Sequence, residues 1–207
     1  MKLIIFGSTG SIGRHLVKQA LEQGHSVTAF ARDASKIGVQ HPNLVITVGD
    51  ALDSLTVEKA VQGHDVVLCS LGAGMQGVVR SEGTKNIIHA MEQADVHRLI
   101  CQSSLGVGDS RGNLNLFWKY IMFGLLLRQA YKDHIIQEKF VSQSELDWTI
   151  IRPGEFTDGA HTGHYRHGFS GTDHTPKLKI SRADVADFML KQINDETYLY
   201  KAPGLSY

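Results

Sequence analysis

The sequence has little cysteine and no net charge. Only Cys69 and Cys101 occur in 207 residues, each inside an apolar run typical of a β-strand. Their separation matches neither a metal site nor a redox motif, so we expect both thiols to act as small core side chains. The 21 basic residues balance 21 acidic ones, which leaves no overall field to hold nucleic acid or an anionic membrane. Small-molecule ligands are therefore favoured over polyanionic partners.

Long apolar runs are also missing. The first run, residues 3–6, is too short for a signal peptide and is needed as a strand, so we expect a cytoplasmic protein. The most apolar stretch, residues 114–127, is interrupted by Lys119 and falls short of the roughly 20 residues needed to span a membrane. Three interpretations of this stretch stay open: a helix packed on the domain, a lid over a flat apolar ligand, or a dimer face. A monomer is favoured, with a dimer as the alternative.

What the chain does contain is an alternation of strand-like and helical segments. The segments are strands at 2–6, 26–31, 44–48, 65–70, 97–102 and 148–151, and helices at 12–23, 54–61, 79–94, 130–144 and 182–193. This order predicts an α/β fold, a doubly wound parallel sheet of the Rossmann type covered on both faces. We expect one domain over residues 1–207, with a substrate-side insert near 106–128 and a loop near 155–178.

A glycine-rich turn joins the first strand to the first helix. Gly7, Gly10 and Gly13 follow an apolar strand and open a helical pattern, within a βαβ unit of the expected length. Glycine permits positive φ and a close approach of backbone to a pyrophosphate, and the helix offers unpaired N–H groups and the positive end of its dipole. The turn therefore predicts a dinucleotide site.

Side chains at the ends of the second and third strands are expected to recognise the nucleotide. Arg32 stands where an Asp or Glu would bind the ribose 2′-hydroxyl of NAD, and a guanidinium there suits the 2′-phosphate of NADP. Ser35 and Lys36 are expected to add contacts to that phosphate, whereas Asp33 is expected to act in a turn or cap. Asp50 either orients the adenine amino group or caps the next helix.

The remaining strand ends are expected to line the same edge of the sheet. Residues 71–74, beginning Leu71-Gly72, leave room for the cofactor to pass over the backbone. Ser103 and Ser104 follow the fifth strand, where a hydroxyl can bond a nicotinamide amide or a substrate carbonyl, or else satisfy a local turn. Pro153 ends the sixth strand, and Glu155 is expected to face the same pocket.

Four histidines, His161, His164, His167 and His174, resemble a metal cluster at first sight. Intervening glycines make a regular helix improbable, and no carboxylate or thiol arrangement supports them. We expect no metal, and instead a loop beside the substrate pocket whose neutral imidazoles pack against a flat ligand.

Several segments carry a resemblance to a known family. They are residues 6–13, 27–36, 48–52, 81–88, 133–134 with Lys139, and 184–190. Together they resemble the atypical short-chain dehydrogenase/reductase group, and within it the flavin reductase (biliverdin reductase B) branch. The glycine motif is shared with NmrA-like sensor proteins, whereas segments 81–88 and 133–134 are more selective for the flavin reductase branch.

The resemblance implies which residues contact NADP(H) and which lie beside the reacting ring. The implied cofactor contacts are Gly7, Thr9, Gly10, Ser11, Ile12, Arg32, Ser35, Lys36, Asp50, Ala51, Leu71 and Gly72. Ser104 and His134 are implied beside the nicotinamide, where an imidazole of near-neutral pKa would relay a proton or hold the ribose.

Two departures from the family pattern limit the reactions that we expect. Ala130 and His134 occupy the places of the superfamily's Tyr-x-x-x-Lys pair, and Tyr131 lies about 100° away round the helix. The usual tyrosine acid is thus missing, which favours direct hydride delivery to a flat conjugated acceptor. Free flavin is favoured, with a biliverdin-type tetrapyrrole as an alternative. Residues 106–128 do not closely match the flavin reductase branch. Two other functions stay open: a non-catalytic NADP(H) sensor, and a quinone or carbonyl reductase.

Overall fold

The computed structural model describes residues 1–72 and 77–207 and contains a central eight-stranded sheet. Its strands are β1 (Lys2–Phe6), β2 (Ser26–Ala31), β3 (Leu44–Val48), β4 (Val66–Cys69), β5 (Arg98–Gln102), β6 (Asp147–Pro153), β8 (Arg166–His167) and β10 (Gly204–Ser206). They lie in the order β3-β2-β1-β4-β5-β6-β10-β8. All neighbours pair in parallel except β10 with β8 at the edge. A second, two-stranded sheet pairs β7 (Glu155–Thr157) with β9 (Lys179–Ser181).

The described residues form five α-helices, which cover the two faces of the sheet. They are α1 (Gly13–Glu22), α2 (Ser54–Val61), α3 (Val79–Gln93), α4 (Arg128–Gln143) and α5 (Arg182–Lys191). One apolar core joins α1 and α5 to the sheet through residues such as Leu16 and Phe188, and the other joins α2, α3 and α4 through residues such as Val57 and Met91. The predicted doubly wound α/β fold is confirmed. It follows from strands that are apolar on both faces.

The chain reverses its direction of winding beside β1. It runs outward from β1 to β2 and β3, returns to β4 on the other side of β1, and continues to β5 and β6. In an open parallel sheet the crevice outside the carboxyl ends of the strands at such a switch point is where ligands bind. The fold therefore directs attention to the turns after β1, β2, β4 and β5.

The predicted strands and helices are all present, with bounds within two residues of those expected. The strands β7 to β10 were not predicted, because two or three residues are too few to show a period and their pairing partners are distant. Two short 3-10 helices in the described residues, Ala34–Lys36 and Gly108–Asn113, were also not predicted, and the helix that was one interpretation of residues 114–127 is a π-helix, Phe117–Leu126.

Cys69 and Cys101 are both buried free thiols, as the apolar runs predict. They face each other across β4 and β5 as register partners, a proximity that their separation of 32 positions in the chain did not suggest. Among the helices that the structure describes, none combines the length and the apolar character needed to cross a membrane.

Candidate cofactor and substrate site

A cavity of about 500 Å³ runs along the carboxyl ends of the parallel strands. It collects most of the residues that the sequence singles out. Those lining it are Gly7, Thr9, Gly10, Ser11, Ile12, Arg32, Asp50, Ala51, Leu71, Gly72, Ser103, Ser104, His134 and Pro153. Gly13, Ser35 and Lys36 are not among the lining residues. Residues 73 and 74 of the predicted 71–74 segment lie outside the described residues.

The glycine turn needs its glycines for different reasons. Gly7 has φ +80°, and a Cβ there would overlap the backbone carbonyl of Ser70. A Cβ on Gly13 would overlap the carbonyl of Gly7, so Gly13 lets α1 lie against the turn rather than letting a ligand approach. The residue before α1, Ile12, makes no side-chain capping hydrogen bond, and the residues from Thr9 to Ile12 line the cavity, so the cavity lies at the N-terminal end of α1.

Arg32 is exposed at the end of β2 and makes no ion pair with any residue in the described ranges 1–72 and 77–207. Its neighbours are differently engaged. Asp33 caps the 3-10 helix by accepting hydrogen bonds from the Ser35 amide (3.0 Å) and hydroxyl (2.7 Å). These bonds lower the pKa of Asp33, and Lys36 lies 3.8 Å from its carboxylate. The expected capping role of Asp33 is confirmed, and Arg32 is the cation of this turn that faces the cavity.

Asp50 is not the cap of α2. Its carboxylate accepts a hydrogen bond from the Leu52 amide (3.0 Å), within the turn after β3. Asp53 caps α2 instead, accepting from the Leu55 amide at 3.2 Å and the Thr56 hydroxyl at 2.5 Å. Of the two roles expected for Asp50, capping is therefore wrong, and the carboxylate stays at the cavity edge.

The hydroxyl groups of Ser103 and Ser104 differ in the hydrogen bonds that they make. The Ser103 hydroxyl donates to Glu138 on α4 (2.6 Å), and Glu138 forms an ion pair with Arg152 of β6 (2.7 Å). Arg152 also pairs with Asp109, which ties the 3-10 helix Gly108–Asn113 to the sheet. The Ser104 hydroxyl has only a long bond to the Leu105 carbonyl (3.3 Å). Ser103, which lines the cavity, is therefore held in a buried network, whereas the Ser104 hydroxyl lies at the cavity with a single long bond to the described residues.

His134 lies on α4 with 8% of its surface exposed. Its Nδ1 is 3.0 Å from Oε1 of Gln137. Burial, followed by the positive charge of Arg80, lowers the pKa of His134 to about 4. The imidazole is thus neutral at physiological pH, and the near-neutral pKa considered from the sequence is not what this environment produces.

Alanine occupies the position of the superfamily's tyrosine acid in the structure. Ala130 is buried at the tyrosine position, and the Tyr131 hydroxyl donates to the Gly106 carbonyl at 3.1 Å. The Tyr131 ring stacks on Phe123 with centroids 4.9 Å apart. Tyr131 does not line the cavity, so its phenol supports the wall rather than a ligand.

The apolar stretch 114–127 forms that wall. Leu114, Trp118, Phe123 and Leu127 line the cavity, while Phe156 and Leu178 from the 155–178 region line it as well. The π-helix has no buried residue, and its Phe123 ring stacks on Tyr131 of α4, so the helix lies on the surface of the domain. Its outer face leaves Tyr120 and Leu125 66% and 72% exposed. One segment therefore combines a cavity wall with an exposed apolar face.

Arg80 was not predicted as a site residue. It lines the cavity from the first turn of α3, is 8% exposed, and lies 3.6 Å from Asp133 of α4. Asp133 also accepts the amides of Arg80 (3.1 Å) and Ser81 (3.0 Å), so it caps α3 from another helix. The sequence signal was the pair of segments 81–88 and 133–134, whose contact only the fold reveals.

The histidine loop turns away from the cavity. Glu155 lines the cavity as expected, but His161, His164, His167 and His174 do not. His161 lies 3.4 Å from Asp187, and His167 bonds the Tyr198 hydroxyl (2.7 Å). The expected packing of these imidazoles against a ligand is wrong, because polar partners on and near α5 hold two of them. Across residues 1–72 and 77–207, no three His, Cys, Asp or Glu side chains gather in a metal-binding arrangement.

The chain is similar to proteins of known structure. An oxidoreductase from Lactococcus lactis superposes with a TM-score of 0.85 over all of this chain and 90% of its own, at 23% identity, which shows the fold alone. ChuY, an anaerobillin reductase from Escherichia coli O157:H7, superposes with a TM-score of 0.83 over 100% of this chain and 97% of its own, at 25% identity.

Curated relatives and a family model place the chain more broadly. An uncharacterised chloroplast protein of Arabidopsis thaliana is 29% identical, covering 97% of this chain and 74% of its own length. The photosystem II assembly factor Ycf39 of Synechocystis is 24% identical over 93% of this chain, which spans only 58% of that protein. Residues 7–196 match the family model described as NAD(P)H-binding. Since this match extends over most of the chain, the protein belongs to the NAD(P)H-binding family.

Proposed function

We propose that the protein is an NADPH-dependent reductase that passes hydride to a flat conjugated acceptor, with free flavin (FMN or riboflavin) favoured and a biliverdin-type tetrapyrrole as the alternative. The observation that carries the proposal is the continuity of one cavity. It begins at Arg32 and the glycine turn and ends between the aromatic rings of Trp118, Phe123 and Phe156. A cofactor and a flat partner therefore have adjoining places in one crevice.

The residues of the nucleotide half fit a dinucleotide. Gly7 and Gly10 keep side chains away from the turn, and a Cβ on Gly72 would meet no atom of the described residues within 4 Å. The exposed Arg32 suits a 2′-phosphate through charge-assisted hydrogen bonds. The amides of Ser11 and Ile12, which line the cavity just before α1, would hold the pyrophosphate, and the nicotinamide supplies the hydride when bound.

The residues of the acceptor half suit an acceptor that needs no protein acid. No tyrosine is among the described residues that line the cavity, and a histidine with a pKa of about 4 is not an imidazolium acid at pH 7. Flavins and linear tetrapyrroles accept hydride into a conjugated system, after which solvent can complete protonation. The likeness to an anaerobillin reductase supports this class of acceptor.

The test is anaerobic NADPH oxidation with FMN, riboflavin, biliverdin and menadione as acceptors. We expect turnover with flavin, and a rise in the Kd of NADPH of one to two orders of magnitude in Arg32→Ala with little change for NADH, since about 1.5–3 kcal/mol of charged hydrogen bonding is lost. Lys18→Ala removes an exposed cation far from the cavity and serves as the control. Absence of turnover with every acceptor would overturn the proposal, and equal losses for both cofactors would overturn the role of Arg32.

A second candidate is a non-catalytic module that senses NADP(H) and binds another protein. The observation in its favour is the exposed apolar face of the π-helix, with Leu116, Phe117, Tyr120, Leu125 and Leu126 more than half exposed. Calorimetric titration separates the two functions, because a sensor binds oxidised and reduced cofactor with clearly different affinities and turns over no acceptor.

A further inference from the structure

A chain of hydrogen bonds links the cavity to the buried cysteines. Nδ1 of His134 lies 3.0 Å from Oε1 of Gln137. Nε2 of Gln137 lies 3.0 Å from the Thr84 hydroxyl oxygen and 3.3 Å from Sγ of Cys101. Gln137 is fully buried, so its amide has no water to complete its hydrogen bonds.

The amide of Gln137 has one favourable orientation in this chain. An NH₂ group offers two hydrogens, and Thr84 and Cys101 provide two acceptors for them. If the amide were reversed, the NH₂ group would face the single nitrogen of His134, and its second hydrogen would be left without an acceptor in a dry interior, which costs free energy. The carbonyl oxygen therefore faces His134, and Nδ1 must carry the hydrogen that bonds it.

His134 lines the cavity, and with Nδ1 engaged by Gln137 the other ring nitrogen is the one available to a ligand there. Nε2 of His134 makes no hydrogen bond to the described residues. It is also not one of the fully buried side-chain atoms of those residues that lack a partner, so part of its surface is accessible. In a neutral imidazole with hydrogen on Nδ1, Nε2 is a bare acceptor. We propose that Gln137 holds His134 in the Nδ1–H tautomer, so that Nε2 accepts a hydrogen bond from the bound ligand and selects ligands with a hydroxyl or N–H donor there.

The charges around the imidazole keep it in the neutral form that this role requires. Arg80 approaches from α3 and lowers the pKa of His134, while Asp133, its neighbour on α4, opposes that effect and is itself paired with Arg80. Thr84 of α3 and the thiols of β4 and β5 close the far side through Gln137. Burial decides the outcome, since desolvation is the largest cause of the lowered pKa.

This inference rests on the proposed function and deepens it. Two ligand groups present a donor of the required kind: a hydroxyl of the nicotinamide ribose, and an N–H of the acceptor, such as N3–H of a flavin or a pyrrole N–H of a tetrapyrrole. A simple quinone has acceptors only. A bare Nε2 therefore disfavours quinones and favours the donor-bearing acceptors.

The tautomer can be measured without any turnover. In protein labelled with ¹⁵N-histidine, assigned with His134→Asn, we expect protonated Nδ1 and unprotonated Nε2 for His134, with no titration between pH 5.5 and 8. Gln137→Leu should abolish the tautomer preference, and the exposed Gln143→Leu on the same helix should leave the spectrum unchanged. Protonated Nε2 in the wild type would overturn the proposal whatever the variants do.

A comparison of riboflavin with N3-methylriboflavin shows whether the flavin or the nicotinamide ribose supplies the hydrogen-bond donor to Nε2. If the flavin supplies it, methylation should lower kcat/KM about tenfold in the wild type and hardly at all in His134→Phe, because one hydrogen bond of about 1.4 kcal/mol is lost. If the ribose supplies it, His134→Phe should raise the Kd of NADPH about tenfold and methylation should have no effect. If neither of these changes is observed, the proposed contact between Nε2 and the ligand is wrong. Absence of turnover would count against the reductase alone, because the NADPH titration and the spectrum do not depend on it.

Discussion

The nucleotide half and the acceptor half of the cavity are built in different ways. The nucleotide half comes from turns that follow β1, β2 and β3 directly, so its residues are close in sequence to the strands that place them. The acceptor half brings together α3, α4, the π-helix and the 155–178 region. Local chemistry therefore specifies the first half, whereas contacts between distant segments specify the second.

The largest expected effect comes from the network under the acceptor half. Glu138→Leu leaves the buried Arg152 without its main partner and the Ser103 hydroxyl without its acceptor. We expect a loss of about 3–5 kcal/mol in the free energy of unfolding, measured by urea denaturation. The exposed Glu145→Leu is the matched control, with a change within about 0.5 kcal/mol.

The double variant Glu138→Leu/Arg152→Met sharpens this prediction. Removing both charges should restore part of the lost stability, because the cost of the single change is mostly a buried guanidinium that keeps only its exposed partner Asp109. If the single variant were as stable as wild type, the acceptor half would not depend on contacts between distant segments in the way that its geometry indicates.

The pH dependence of stability gives the next largest effect. His134 has a pKa of about 4 in the folded protein against its ordinary 6.5, so below pH 6.5 the unfolded chain binds a proton that the folded one does not. Stability should therefore fall as the pH drops from 6.5 towards 4. Between pH 7.5 and 4.5 we expect this residue to account for about 2–3 kcal/mol. Urea denaturation of wild type and His134→Gln at both pH values isolates it, and equal losses in the two proteins would contradict it.

The glycine turn tests the nucleotide half. Gly7 and Gly24 both have φ +80°, but a Cβ meets the Ser70 backbone at Gly7 and nothing within 4 Å at Gly24. Gly24→Ala should cost only the conformational term, about 1–2 kcal/mol. Gly7→Ala should cost roughly 1–3 kcal/mol more, because backbone must move, and should weaken NADPH binding as well. Calorimetric Tm values and NADPH titration measure both, and equal costs would mean that the close approach at Gly7 is unimportant.

These contrasts explain what could be read from the sequence. Arg32, Gly7 and Asp50 were placed correctly because a parallel sheet brings every strand end to one edge, whatever the rest of the chain does. Arg80 was missed because its place depends on Asp133, 53 residues away. Gln137 was missed for the same reason, since its partners Thr84 and Cys101 are on other elements. The histidine loop was misjudged because its direction depends on partners such as Asp187 and Tyr198, which no local pattern announces.

The smallest stability effects are expected on the π-helix, where one segment can be tested on two faces. Tyr120→Ala removes an aromatic ring that is 66% exposed, and we expect stability to change by no more than about 0.5 kcal/mol and flavin turnover to stay as it is. Trp118→Ala removes a ring that lines the cavity, and stacking lost against a flat acceptor is worth about 0.5–1.5 kcal/mol, which raises KM several-fold. Steady-state kinetics with riboflavin compares the two. If Tyr120→Ala affected turnover as strongly as Trp118→Ala, the wall would act through the helix as a whole and not through the rings that face the ligand.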